Sequence, residues 1–133
     1  MTPPTEPEWP DEALALAVHA RQLAEHGGSA GLRDLNLLSS ALARPRNRFA
    51  YGGPAPDLAA SLAFGIVTNH PFVDGNKRTG YVLCRLFLLL NGADLVASAD
   101  EKYTTFYRLA AGNLSEAQLS DWLRQHLTNV IGT

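Results

Sequence analysis

The sequence predicts an all-α fold, a single compact domain of about six helices with a loop of chemically active residues between the third and the fourth. Three observations lead there. Apolar residues recur at helical spacing in six stretches, proline and glycine punctuate the intervals, and no run of alternating β-branched residues competes. A chain of 133 residues suits one core, and 46% hydrophobic with 18% charged residues is the balance of an ordinary globular protein.

Residues 1–10, rich in proline, read as an extended arm, and residues 11–133 as the helical domain. The first helix is expected from about Asp11 to Glu25, with Leu14, Ala17, Val18, Leu23 and Ala24 on its apolar side and Gly27-Gly28 stopping it. Asp34 caps a short second helix carrying Leu35, Leu37, Leu38 and Leu42, which ends near Pro45. Pro45 to Pro56, with Gly52-Gly53, reads as loop or short hairpin. A third helix opens at Pro56 or Asp57, buries Leu58, Leu62, Ile66 and Val67, and ends at His70, because Pro71 disfavours helix in the residue before it. The fourth runs from near Asn76 to Asn91-Gly92 and is apolar on nearly every side, which makes it the expected central helix. Capping boxes, Ser98 with Glu101 and Ser115 with Gln118, open the fifth and sixth. Gly112 closes the fifth, and Ala117, Leu119, Trp122, Leu123 and Leu127 form the apolar side of the sixth.

Composition excludes several classes of function. The amino terminus has no basic start followed by an apolar stretch, and no uncharged apolar run, Leu86 to Ala93 included, reaches the ~20 residues of a membrane span. A cytoplasmic protein without a membrane anchor is expected. The one cysteine, Cys84, lies in an apolar run and reads as a buried, inert thiol. The net charge of −2 is unevenly spread: seven cations oppose three carboxylates between Arg33 and Arg85, a balance of +4, which leaves −6 on the flanks. A basic middle inside acidic flanks argues for a local anion site and against a broad nucleic-acid face built on Arg44, Arg46 and Arg48.

The candidate site is His70-Pro71-Phe72-Val73-Asp74-Gly75-Asn76-Lys77-Arg78. The first turn of a helix offers unpaired amides and the positive end of the helix dipole, so phosphate oxygens are favoured in front of Asn76, Lys77 and Arg78. Gly75 lets the backbone turn its amides toward an anion. Asp74 would be repelled by phosphate unless a cation lay between, and a lone carboxylate facing phosphate is a usual arrangement for Mg²⁺. His70 can accept a hydroxyl proton near neutral pH. Arg78 can fork onto a phosphate, and Lys77 supplies a compact charge. Phe72 is expected to plug into the core. The structural alternative is that His70 and Asp74 are simple helix-terminal residues, with Asp74 capping the next helix. His19, His26 and His126 have no metal-type partner at helical spacing and receive no chemical role.

The run HPFVDGNKRTG resembles the signature of the Fic/Doc superfamily, whose Fic branch reads HxFx(D/E)GNGRxxR and whose Doc, or death-on-curing, branch has lysine at the second motif glycine. Gly31-Leu32-Arg33-Asp34 and Leu37 to Arg46 also look like the Doc-type segment before the motif, so the resemblance covers Gly27 to Gly92. It implies an all-helical fold and transfer of part of a nucleoside triphosphate, with Mg²⁺, to a protein hydroxyl. His70 would be the base, Asp74 the metal ligand, Gly75 and Asn76 the anion cradle, and Arg78 a phosphate clamp. Lys77 in place of the Fic glycine, and Tyr81 in place of the second Fic arginine, are Doc-like.

A Doc-type kinase passing the γ-phosphate of ATP or another nucleoside triphosphate to its target is therefore the leading expectation, a Fic-type adenylyltransferase using the same loop the alternative, and a catalytically idle binding module the reading of another class. The resemblance further implies elongation factor Tu as the target, and a toxin restrained by an antitoxin whose disordered tail folds onto it. The self-inhibiting Fic pattern, Ser/Thr-x-x-x-Glu, finds its spacing only at Thr2 and Glu6, among prolines. Target recognition is expected in the loop before the third helix, where Arg46, Asn47, Arg48, Phe49 and Tyr51 could align a strand by backbone pairing. Phe49 and Tyr51 could equally serve to pack that loop on the core.

Overall fold

The computed structural model describes residues 5–130, as six helices and one two-stranded sheet. In chain order these are α1 (Glu12–His26), α2 (Leu35–Ala50), α3 (Ala55–Asn69), α4 (Asn76–Leu90), β1 (Ala93–Leu95), α5 (Ala99–Ala110), α6 (Glu116–His126) and β2 (Leu127–Asn129). Thr2, half of the Thr2–Glu6 spacing, and the start of the expected arm lie outside the described residues. Further along that arm, Glu8 exchanges two hydrogen bonds with the Asn91 side chain, and Trp9 packs between Phe49 and Phe87.

Asp11 caps α1 by accepting from the Leu14 N–H at 2.8 Å. The buried face is Ala15, Val18, His19 and Gln22, while Ala17 and Ala24 are exposed. The expected apolar side was thus rotated, because two polar residues occupy the inward stripe. Asp34 caps α2 through Asn36 and Leu37, as expected, but the helix passes through Pro45 and ends at Ala50. An interior proline costs a helix about 3 kcal/mol, and here the buried face Leu38, Ala41, Leu42 and Pro45 offsets that cost by packing on α3. The expected long loop shrinks to Tyr51–Pro54.

The central helix is α3, and not α4. It packs against α2, α4, α5 and α6, and nine of its fifteen residues are buried. Small residues decide this: Ala59, Ala60, Ser61, Ala63 and Gly65 let neighbours approach, whereas Leu90 on α4 is exposed. A Cβ on Gly65 would lie 2.7 Å from Arg44 Cδ and 3.1 Å from Ala41 Cα, so glycine sets the α2–α3 separation. Both expected capping boxes form, opening α5 and α6. On α6, Leu119 and Leu123 are buried, Ala117 is exposed, and Leu127 lies beyond the helix in β2. The antiparallel pair β1–β2, with Leu95 opposite Leu127, was not expected from the sequence. Cys84 is fully buried, which pushes its thiol up to about 12. Among the described residues no helix is long and apolar enough to cross a membrane.

Candidate functional site

His70 is the C-cap of α3 and, among the described residues, the one non-glycine with positive φ, at 52°. The left-handed conformation costs such a residue about 1–3 kcal/mol, so something must hold it. Arg33 does: its guanidinium donates to the His70 carbonyl at 2.7 Å and to the Asn69 carbonyl at 2.8 Å. The chain around Leu32 runs antiparallel to that around Phe72, with the Arg33 N–H donating to Pro71 O and the Val73 N–H to Gly31 O.

Phe72 plugs into the core as expected, 1% exposed, and its ring stacks on His19 with centroids 3.8 Å apart and planes 7° from parallel. His19 Nε2 donates to the Asp74 carbonyl at 2.8 Å. Inside the loop, Asn76 Oδ1 accepts from the Phe72 N–H at 3.0 Å, and Nδ2 donates to Phe72 O at 2.9 Å. The same Nδ2 lies 3.3 Å from His70 Nδ1. The Asn76 side chain therefore ties the loop together, and what it offers an anion is its main chain. Gly75, at φ 79°, is the N-cap of α4, and the first helical bond runs from the Thr79 N–H to its carbonyl. The amides of Asn76, Lys77 and Arg78 have no acceptor among the described residues, and they point out of the positive end of α4.

Asp74 does not cap α4. Its carboxylate accepts from the Ser29 N–H at 3.2 Å and the Gly75 N–H at 2.9 Å. A Cβ on Gly28 would lie 2.8 Å from Asp74 Oδ2, so a glycine is needed for the Gly28-Ser29 turn to come this close. The Ser29 amide, followed by the Gly75 amide, holds the Asp74 carboxyl below its ordinary range, so it is ionised at neutral pH. Among the described residues no group of three or more His, Cys, Asp or Glu side chains is gathered for a metal. A single ionised carboxylate with lone pairs to spare fits an Mg²⁺ ion that brings phosphate and water ligands with it.

His70, Val73, Asp74, Gly75, Asn76, Lys77, Arg78 and Ala110 line one open pocket of about 400 Å³. The loop residues singled out by sequence are thus brought together, with Ala110 of α5 as an unforeseen wall. A second pocket of about 280 Å³ shares Lys77 and Arg78 with it and is walled by Tyr81, Tyr103 and Phe106. Tyr81 packs edge-on against Phe106, at 5.2 Å between centroids.

The expected target loop is not at this site. Arg46, Asn47, Arg48 and Phe49 lie in the last turns of α2, where helical bonding leaves no strand-like edge. They also sit at the far end of α3 from His70, about 22 Å away by helix rise over its fifteen residues. Arg48 pairs with Asp57, Arg46 lies over the Trp9 ring, Arg44 pairs with Glu116, and Phe49 packs on Trp9; Tyr51 is exposed. These contacts favour the packing role for Phe49 and spread the arginines among separate partners.

Sequence reasoning missed His19, Arg33, Ser29, Tyr103 and Tyr107. Only His19 left a local signal, since positions 15, 18, 19 and 22 form an i, i+3, i+4, i+7 stripe. Residues 9–88 match the Fic/DOC family. Toxin Doc of Mycolicibacterium smegmatis is 42% identical over 78 residues, which cover 56% of this chain and 59% of that protein, less than two thirds of its length. Protein kinase doc of Escherichia phage P1 is 30% identical over 118 residues, covering 87% of this chain and 91% of that protein.

Proposed function

The chain belongs to the Fic/DOC family, on its Doc branch, and we propose that it is a toxin-type protein kinase that transfers the γ-phosphate of ATP to a hydroxyl of elongation factor Tu. One observation carries this reading: the pocket sets His70 beside three free amides of α4, with Lys77 and Arg78 on its wall. A triphosphate chain suits those donors, and Lys77 fills space that a glycine would leave open to an α-phosphate. The name of the relative that spans most of the chain, protein kinase doc, favours phosphoryl over adenylyl transfer.

In this reading His70 takes the proton of the target hydroxyl, whose oxygen attacks the γ-phosphorus as the bond to the β-phosphate oxygen breaks and a nucleoside diphosphate leaves. The α4 amides, Lys77 and Arg78 stabilise the charge on the transferring group. Asp74 would hold Mg²⁺, which neutralises phosphate charge when bound. The Asn76 amide faces His70 Nδ1 with an N–H, because its bonds to Phe72 fix its orientation. A neutral ring accepting that contact carries its proton on Nε2. Moving the proton to Nδ1, so that Nε2 can act as base, gives up one long hydrogen bond, about 1 kcal/mol.

The test is the intact mass of purified elongation factor Tu after incubation with this protein, ATP and Mg²⁺. A gain of one phosphoryl group is expected, with label arriving from γ-labelled and not α-labelled ATP. A gain of one adenylyl group would overturn the kinase reading in favour of adenylyl transfer, and no gain would remove this factor as the target. As a toxin, the protein expressed alone should arrest bacterial growth, and the product of the adjacent gene, an antitoxin with a disordered tail, should restore it. Harmless accumulation of intact protein in a susceptible host would count against the toxin.

A further inference from the structure

The Lys77 ammonium lies 5.2 Å from the ring centroid of Tyr103 and 5.3 Å from that of Tyr107. The two tyrosines are one turn apart on α5 and stack on each other, with centroids 6.0 Å apart and planes at 24°. Neither serves the core. The buried face of α5 is Thr105, Phe106 and Leu109, while Tyr103 and Tyr107 remain 64% and 55% exposed. Among the described residues Lys77 has no salt-bridge partner, and it stands in the wall common to the two pockets.

We infer that Tyr103 and Tyr107 are positioning residues for Lys77, holding its ammonium at the rim of the His70 pocket so that it meets a polyphosphate already in place. A carboxylate could hold the same lysine, but it would cancel the charge that phosphate needs. The negative faces of two rings hold it and leave the full positive charge available. A free lysine side chain loses much rotamer freedom on binding an anion, and a side chain already confined loses less. The inference rests on the reading of that pocket as a nucleotide site.

The test uses the full chain with inorganic tripolyphosphate and, separately, ATP with Mg²⁺ as calorimetric probes. The combined Tyr103→Leu, Tyr107→Leu variant should bind each probe about five- to tenfold more weakly, because an unconfined lysine side chain then loses its rotamer freedom on binding. The corresponding Phe, Phe variant keeps both ring faces and should stay close to wild type. In a Lys77→Met background the leucine changes should have no further effect. A second readout is independent of binding: Lys77 and Lys102 are the two lysines of the chain, so selectively labelled lysine yields two side-chain NMR signals. The Lys77 ε-methylene should be shifted upfield by the rings in wild type and in the Phe variant, and should relax to the ordinary lysine position in the Leu variant. An unmoved Lys77 signal, or an equal loss of affinity in the Lys77→Met background, would overturn the inference. If wild type binds the probes and every variant binds equally well, this inference alone fails. Should wild type bind neither probe, the nucleotide reading fails first and takes the inference with it.

Discussion

His70 keeps its left-handed backbone because Arg33 occupies the carbonyls of Asn69 and His70, which α3 leaves unpaired at its end. Replacing Arg33 by Met keeps the aliphatic stem and removes both bonds. Stability should then fall by about 1–3 kcal/mol, for two bonds from a charged donor at an exposed site. Turnover should fall at least tenfold while nucleotide affinity changes little, because the imidazole moves and the α4 amides do not. Urea unfolding and steady-state kinetics check both halves, and a loss confined to affinity would show that Arg33 does not act through His70. Lys77→Gly addresses reaction type: target phosphorylation should disappear and adenylylation emerge, as the glycine reopens the amide cradle. Unchanged phosphorylation by this variant would show that Lys77 does not orient the nucleotide.

The helices illustrate which physical signals are local. Ser98 with Glu101, and Ser115 with Gln118, each satisfy two end-of-helix donors within four residues, so α5 and α6 could be placed from sequence. Pro45 misled because its cost is local while the compensating contact, the α2 face against α3, is made with residues about twenty positions away. β1 and β2, three residues each, pair across more than thirty positions and carry no pattern long enough to read. The central place of α3 was hidden for a related reason, since a count of large apolar residues favours α4 while close packing rewards Ala and Gly. Gly65→Ala tests that argument. Helix propensity alone would gain the variant about 1 kcal/mol, yet the new methyl meets Arg44 Cδ and the Ala41 backbone at less than ordinary contact distance. A net loss of about 1–2 kcal/mol is expected from overpacking, measurable as a lower urea midpoint with an unchanged m-value. A stabilised variant would mean that α2 and α3 separate at little cost.

Taken as a molecule, the protein builds its site from one contiguous loop and several distant supports, and only the loop was legible. His70, Asp74, Gly75, Asn76, Lys77 and Arg78 fall within nine positions, whereas His19, Ser29, Arg33, Tyr103 and Tyr107 reach them through folding, and of these only His19 has a spacing, its inward helical stripe, that hints at burial. Some of the ties that close the structure run through carboxylates, and this makes overall stability depend on acid. Arg85 hydrogen-bonds Asp94 through two nitrogens, at 3.0 and 3.3 Å, joining α4 to β1, and chiefly by that bond holds the Asp94 carboxyl below its usual range. Glu101 is lowered first by the Ser98 amide, with His126 of α6 a further cause, and Asp74 first by the Ser29 amide. A carboxyl lowered on folding stabilises the native state at every pH above its unfolded value, near ~4, and that contribution is lost as pH falls through the lower native value. These three groups should therefore leave the melting temperature level from pH 7 to about 5 and lower it progressively below about 4. Their solvent exposure keeps each contribution modest. Asp94→Asn isolates one of them: the variant should melt below wild type at pH 7, and the two curves should converge in acid, where the wild-type carboxylate is itself neutralised. Parallel curves throughout would show that Asp94 adds nothing pH-dependent and that the acid loss belongs to other carboxyls.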